Sequence, residues 1–319
     1  MPFPYVPEEK DEMDIFLQQI INGLVQGSIY ALVALGYTMV YGIMGLINFA
    51  HGEVVMIGTL VTITVAGSLI KAGMPVAVAG LAGLMAAVLV CMALGWALER
   101  VAYRPLRNAP RLTPLITAIG MSIVLQNLAM IVWGRNYLTF PSLLPKVNFE
   151  WAGAHFTMIQ VIIVLVSAAT MGGLLLLVYR TKLGMAMRAT AQNPAVASLM
   201  GVNINRVIAA AFVIGSALGA VAGVMVGTYY EIAHYQMGFM LGLKAFTAAV
   251  LGGIGNLAGA MLGGILLGII EALGAGYIGD LTGGFLGSHY QDIFAFVVLI
   301  VVLMFKPSGL FGEKTGDRA

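Results

Sequence analysis

Asn48, His51 and Glu53 stand close together in the stretch GLINFAHGEVVMIGT (Gly45–Thr59), between two long apolar runs. A carboxamide, an imidazole and a carboxylate at this spacing supply hydrogen-bond donors and acceptors and two ionisable groups. With lipid as the solvent such groups have two uses. They line a polar cavity or gate, or they satisfy backbone groups freed where a helix breaks, which have no water to turn to at membrane depth. Gly52 permits a sharp turn. Glu53 then falls in the first turn of a predicted helix, Glu53–Ile70, where the helix dipole favours a carboxylate. Wall of a polar cavity and cap at a membrane–water boundary both remain open. Glu231, Lys244 and Glu271 also border or interrupt apolar runs, and ionisable groups within spans are functional candidates by default. Glu231 is expected at a span end, in water. No catalytic constellation accompanies them: G-x-x-x-x-G-K-[ST], H-E-x-x-H, G-x-S-x-G and a cysteine pair are all missing from the sequence. Neither hydrolysis nor metal chemistry is indicated, so no catalytic residue and no metal ligand is assigned. Any active transport must draw its energy from an ion gradient or from another subunit.

The elements that hold these groups follow from composition. Of 319 residues, 60% are hydrophobic and only 9% charged, and the mean hydropathy is +0.95. Soluble domains carry roughly a quarter charged residues. No Asp, Glu, Lys or Arg occurs over Ile15–Gly52, Ala72–Leu98, Leu112–Gly134, Trp151–Tyr179, Val207–Tyr230 or Ala245–Ile270. Each run reaches the roughly 20 residues needed to cross a bilayer as a helix. The expected fold is an all-α polytopic membrane protein. A net charge of +2 gives no sign of a nucleic-acid partner, and Cys91, inside an apolar run, is expected to be inert packing. The leader over residues 1–14 is acidic and lacks the basic start of a cleavable signal peptide, so the first run is expected to stay as a span.

Basic residues in short loops mark the cytoplasmic side. Arg100, Arg104, Arg107 and Arg111 crowd one loop, and Arg180, Lys182, Arg188 and Arg206 another; Lys306, Lys314 and Arg318 follow the last run. With these inside, Gly238–Gly276 must fold as two spans or a re-entrant pair, broken near Gly252–Ala260, to keep the tail over 306–319 cytoplasmic. Ile15–Gly52 is also too long for one simple helix. The expectation is a single transmembrane domain over 1–319, a bundle of eight to ten membrane segments with discontinuous helices. Both long runs break at Gly and Asn, the second at Asn256, which suggests an internal repeat and places a pathway at the breaks.

In the second basic loop, 180–206, Asn193 is a good N-cap, Pro194 suits the first helical position and Gly201 the position after the end. A short helix over Pro194–Met200, showing Val196, Leu199 and Met200, would rest on headgroups or dock a cytoplasmic partner. Gly215, Gly219, Gly223 and Gly227 recur every fourth residue, as do Gly255, Gly259 and Gly263; such stripes let helices approach closely, within the bundle or between subunits. Segments Arg135–Phe156 and Gly276–Tyr290 carry Tyr137, Phe140, Trp151 and Phe285, suited to an interface belt or to a partner's landing site.

The stretches Asn22–Glu53, LGMAMRATAQNPAVASLMGVN and Lys244–Gly264, in this order, resemble the membrane permeases of bacterial branched-chain amino acid ABC importers, of the LivH type, over nearly the whole chain. The resemblance implies a multi-pass protein of the bacterial inner membrane with a second, LivM-type permease subunit beside it. It also implies two cytoplasmic ATPase subunits that carry ATP and Mg, with no cofactor on this chain, and an extracytoplasmic substrate-binding protein delivering leucine, isoleucine or valine. The loop holding Arg188, Asn193, Pro194 and Gly201 matches the family's ATPase-coupling region. Permeases for urea and short-chain amides are similar, so the substrate stays open between these classes. A gradient-driven secondary transporter would need a self-sufficient ion site, and an integral enzyme or scaffold a catalytic constellation or a large soluble surface; the sequence shows none of these clearly.

Overall fold

The computed structural model describes residues 12–107, 109–110, 112–151, 153–281 and 291–312. Residues 1–11 of the acidic leader over 1–14, Arg111, Phe285 and the basic residues Lys314 and Arg318 lie outside the described residues. Seven helices among them are long and apolar enough to cross a membrane, and two shorter apolar ones accompany them. The long ones are α1 (Glu12–Met44), α2 (His51–Lys71), α3 (Val76–Ala97), α4 (Leu112–Trp133), α5 (Met158–Arg180), α8 (Ile204–Tyr230) and α10 (Leu257–Leu281). The shorter pair is α9 (Met237–Gly252) and α11 (Gln291–Phe305); α6 (Lys182–Gln192) and α7 (Pro194–Leu199) are neither long nor apolar enough to span. The chain is mostly helical but not wholly so. β1 (Leu138–Thr139) pairs antiparallel with β4 (Ile232–Ala233), and β2 (Asn148–Trp151) with β3 (Ala154–Thr157), which shows that Arg135–Phe156 folds as a structured cap.

Ile15–Gly52 resolves into α1, a six-residue turn and the start of α2. His51 lies against Gly36, eight residues before the end of α1, so α2 begins about 12 Å inside that end at 1.5 Å per residue. Every residue from Ala50 to Thr62 is buried, which makes α2 the centre of the bundle. Around it α3, α4 and α5 turn bare apolar side chains outward, among them Leu81, Leu89, Ile116, Ile131, Leu165 and Leu176, as helices facing lipid do.

Helices α1 and α10 meet backbone to backbone, with α-carbons of Ile269 and Ile265 only 2.6 and 2.7 Å from where side chains would start at Gly23 and Gly27. Gly23 and Gly27 form a small-residue stripe, facing Gly264 and Gly268, that lets the two backbones touch. The longer stripe of α8 packs inside the same bundle: Gly215 meets Gly36, Gly219 meets His51 and Val55, Gly223 meets Val55, and Gly227 meets Phe140.

Gly238–Gly276 divides into α9 and α10 at residues 253–256, where Gly253 and Gly255 take φ of +103° and +100°. Those angles favour glycine, which is why the run breaks there. The two helix breaks are neighbours: a side chain at Gly42 would meet the Gly255 carbonyl at 3.5 Å.

Candidate functional site

The start of α2 gathers three of the expected residues. Ala50 caps the helix without a side-chain bond; the Asn48 carbonyl accepts from His51 N–H at 3.0 Å. The Asn48 side-chain oxygen accepts from the Tyr103 hydroxyl at 2.7 Å. Glu53 accepts from Ser122 at 3.0 Å through Oε1, while Oε2 turns toward Gly238 and has no hydrogen-bond partner. The His51 ring meets Tyr37 edge-on at 5.1 Å and presses on Gly36, and its Nε2 also lacks a partner. All three residues are buried, Glu53 completely. The start of α2 is thus a buried helix start with two unpaired polar atoms, His51 Nε2 and Glu53 Oε2.

Asn256 is not part of this group. Its Oδ1 accepts from Gly259 N–H at 3.1 Å and its amide donates to the Phe311 carbonyl at 3.0 Å. It caps α10 and pins the segment after α11. The physical reason is spacing: Asn256 sits three residues before an unpaired helical N–H, the N-cap relation.

A second polar group crosses α1, α9, α10 and α11. Lys244 lies 3.3 Å from Glu271 and 2.6 Å from Asp292. Glu271, fully buried, accepts from Tyr30 at 2.8 Å and from Gln26 at 3.1 Å. Lys244 and Glu271 stood out in the sequence as charges within apolar runs. Asp292, Gln26 and Tyr30 did not, because a neutral residue in a run and an acid at its border carry no such signal. Glu231 is as expected, half-exposed at the end of α8 and paired with Lys146 at 2.6 Å.

On the arginine-rich face, α3 continues as a wider π-helix, Leu98–Tyr103, and a short 3₁₀ turn, Arg104–Leu106. The turn places Glu99, fully buried, against Arg104 at 3.0 Å and against Arg107. Arg107 also donates to Asn205 at 2.6 Å, at the start of α8. Burial pulls the Arg107 guanidinium below its usual pKa, and the adjacent Glu99 carboxylate opposes that pull. Through Tyr103 this clamp reaches Asn48, so the start of α8 and the break before α2 are joined by named bonds. Glu99 and Tyr103 carry no sequence signal of their own, since the loop's arginines mark a side of the membrane and not the groups they pair with.

The α7 helix starts as its residues require. The Asn193 side chain accepts from Val196 N–H at 3.1 Å, Pro194 opens the first turn, and Gly201 follows the end at φ +86°. The Val202 and Gly201 amides close on Ala197 and Ser198. Leu199 and Met200 are 86% and 81% exposed, and Val196 is exposed beside them. Arg188 lies over the Tyr179 ring, 5.3 Å from its centre. Of the aromatics expected in a belt, Tyr137 and Trp151 are exposed, whereas Phe140 is 3% exposed against Gly227. Among the described residues no group of three or more His, Cys, Asp or Glu is placed to hold a metal.

Fold and site together define a polytopic helical membrane protein with a polar, dry centre and an apolar helix displayed on its arginine-rich face. Residues 19–303 match the profile of the branched-chain amino acid transport system permease component, and the chain belongs to that family. It is 48% identical over 309 residues to the high-affinity branched-chain amino acid transport system permease protein BraD of Pseudomonas aeruginosa, covering 95% of this chain and 98% of that one. To LivH of Escherichia coli K12, named likewise, it is 46% identical over 311 residues, 95% and 97% of the two chains. A probable LivH of Methanocaldococcus jannaschii is 27% identical over 94% of each chain.

Proposed function

We propose that this chain is the membrane-spanning permease subunit of an ATP-binding-cassette importer that moves leucine, isoleucine and valine into the bacterial cytoplasm. The observation that carries this is similarity along 95% of the chain to two proteins named as high-affinity branched-chain amino acid permeases. In this reading the chain catalyses nothing and binds no cofactor. Two cytoplasmic ATPase subunits hold ATP and Mg, a LivM-type permease stands beside it, and an extracytoplasmic binding protein delivers the substrate.

The arginine-rich face is then cytoplasmic, and α7 with Arg188, Asn193, Pro194 and Gly201 is the ATPase dock. Exposed Leu199 and Met200 support this, since large bare apolar side chains beside a folded loop suit a protein groove. If the seven long apolar helices and the two shorter ones among the described residues all cross, the chain makes nine crossings. In this reading Lys306 is inside, and an odd number of crossings would have Glu12 outside. The breaks of the first and second halves would move as the ATPases close, with Asn48, His51 and Glu53 forming the inner wall of the pathway and Asn256 holding the second break.

The test is uptake of radiolabelled leucine and of urea by vesicles, with and without the ATPases and companion permease. Leucine uptake that needs both ATP and the ATPases is the expected result. Uptake of urea alone would change the substrate class. Uptake by this chain alone, abolished by an ion uncoupler, would overturn the reading.

A further inference from the structure

Ile116, Gly120, Ile123, Asn127 and Ile131 are all exposed on α4, at the three- and four-residue spacing of a single helix face. Bare aliphatic side chains suit lipid and protein alike. The amide among them does not. Beyond their first and last turns the other outward-facing helices, α3 and α5, carry no amide or charged side chain.

One N–H of the Asn127 amide donates to the Ile123 carbonyl of its own helix at 2.8 Å. Among the described residues the second N–H and the side-chain oxygen have no partner. Asn127 lies six residues from Trp133, the end of α4, about 9 Å along the axis at 1.5 Å per residue. Exposed Ile131 and Val132 keep the surface apolar beyond it. Lipid tails at that depth offer neither donor nor acceptor, so a hydrocarbon neighbour leaves the amide unsatisfied. A water-filled passage fits no better, because exposed Ile123, Val124 and Leu128 flank the amide. Two turns away on the same face, a side chain at Gly120 would meet nothing within 4 Å. Glycine weakens a helix interior, and no described residue uses the room it leaves. A helix of another subunit would use both features, closing on the notch at Gly120 and bonding the amide.

We propose that this face of α4 docks a transmembrane helix of the second permease subunit. That helix sets a hydrogen-bonding side chain opposite Asn127 and packs its backbone closely at Gly120. The proposal rests on the import reading, which places a second permease beside this chain, and it names the surface where the two meet.

The test uses the full transporter in membrane vesicles. Val124, exposed between Gly120 and Asn127, is replaced by the photo-cross-linking residue benzoylphenylalanine. Leu89 on α3 and Leu176 on α5, exposed likewise, carry the same probe as controls. Irradiation at position 124 is expected to join this chain to the second permease in at least fivefold greater yield than either control. Asn127→Leu removes the amide at similar size and should lower copurification of the second permease in mild detergent about fivefold, the scale of one interhelical hydrogen bond. Asn127→Gln, which restores an amide, should recover most of that loss, and Gly120→Leu should lower copurification as well. Adducts with lipid alone, adducts with a second copy of this chain, or yields equal to the controls overturn the docking face. Copurification unchanged in both Asn127→Leu and Gly120→Leu overturns it too. ATP-driven leucine uptake is measured in the same vesicles. Uptake with adducts to lipid alone rejects the docking face and leaves the import reading standing, whereas absence of ATP-driven uptake by the unsubstituted transporter rejects the import reading whatever the adduct.

Discussion

His51 shows how one residue constrains its neighbours at the centre of the protein. Its ring fills the space that a side chain on Gly36 would take, touches Tyr37, and has Gly219 behind it. Gly36→Ala therefore forces the ring against groups that have no room to yield, and overpacking of this kind costs about 1–3 kcal/mol. A lowered unfolding temperature in detergent is expected, while Gly67→Ala, where an added carbon meets nothing within 4 Å, should be tolerated. Tyr103→Phe makes a different prediction. It strips Asn48 of the bond to its side-chain oxygen and leaves that oxygen buried, a loss of about 1–3 kcal/mol, and Asn48→Leu in the same chain should restore part of the stability by removing the orphan. The sequence identified Asn48, His51 and Glu53 as polar residues in the wrong solvent, which is a local signal. Ser122, Tyr103 and Gly238, which receive them, come from distant segments and are ordinary residues in their own runs.

At the scale of elements, capping chemistry could be read directly and helix type could not. Asn193, Pro194 and Gly201 mark the start and stop of α7 because each satisfies or permits a specific backbone geometry. Gly201 at φ +86° has open space around it, so Gly201→Val is penalised by backbone strain alone, about 1–3 kcal/mol. In reconstituted transporter the expected outcome is retained ATP hydrolysis with a fall in leucine imported per ATP. Gly201→Asn should recover most of the ratio, since asparagine tolerates that conformation. The π-helix at the end of α3 left no trace in hydropathy, because its effect is to widen one turn and turn Glu99 inward to Arg104 and Arg107. Glu99→Gln keeps the shape but leaves two guanidiniums facing each other without their carboxylate. Loosening of the Arg107–Asn205 tie should again lower the import-to-hydrolysis ratio, and unchanged coupling in this variant would show that the clamp only holds the fold.

Across the whole molecule, the distribution of charge fixed what could be foreseen. Charge-free runs gave the spans, and arginine-rich loops gave a face. The pairing of α1 with α10 was not foreseen, although Gly23 and Gly27 have the same four-residue spacing as the stripe noticed in α8; spacing alone does not say which helix fills a groove. The cluster of Lys244, Glu271 and Asp292 ties that pair to α9 and α11, and it sets the last prediction. Lys244 is 12% exposed and Glu271 not at all, with Asp292 at 31%, so water screens the group poorly. Removing the cation in Lys244→Met leaves the buried Glu271 without its charge partner and with the part-exposed Asp292 nearby, and breaking a buried pair in this way costs about 3–5 kcal/mol. Replacing all three charges, Lys244→Met with Glu271→Gln and Asp292→Asn, removes the repulsion and keeps the volumes. Thermal unfolding should show the single variant well below the parent and the triple variant recovering most of the loss. The comparison also separates stability from transport. If the triple variant regains its unfolding temperature and imports leucine at the parent rate, the cluster is a brace between the two halves; if it regains stability but not import, the charges act on the substrate's path as well.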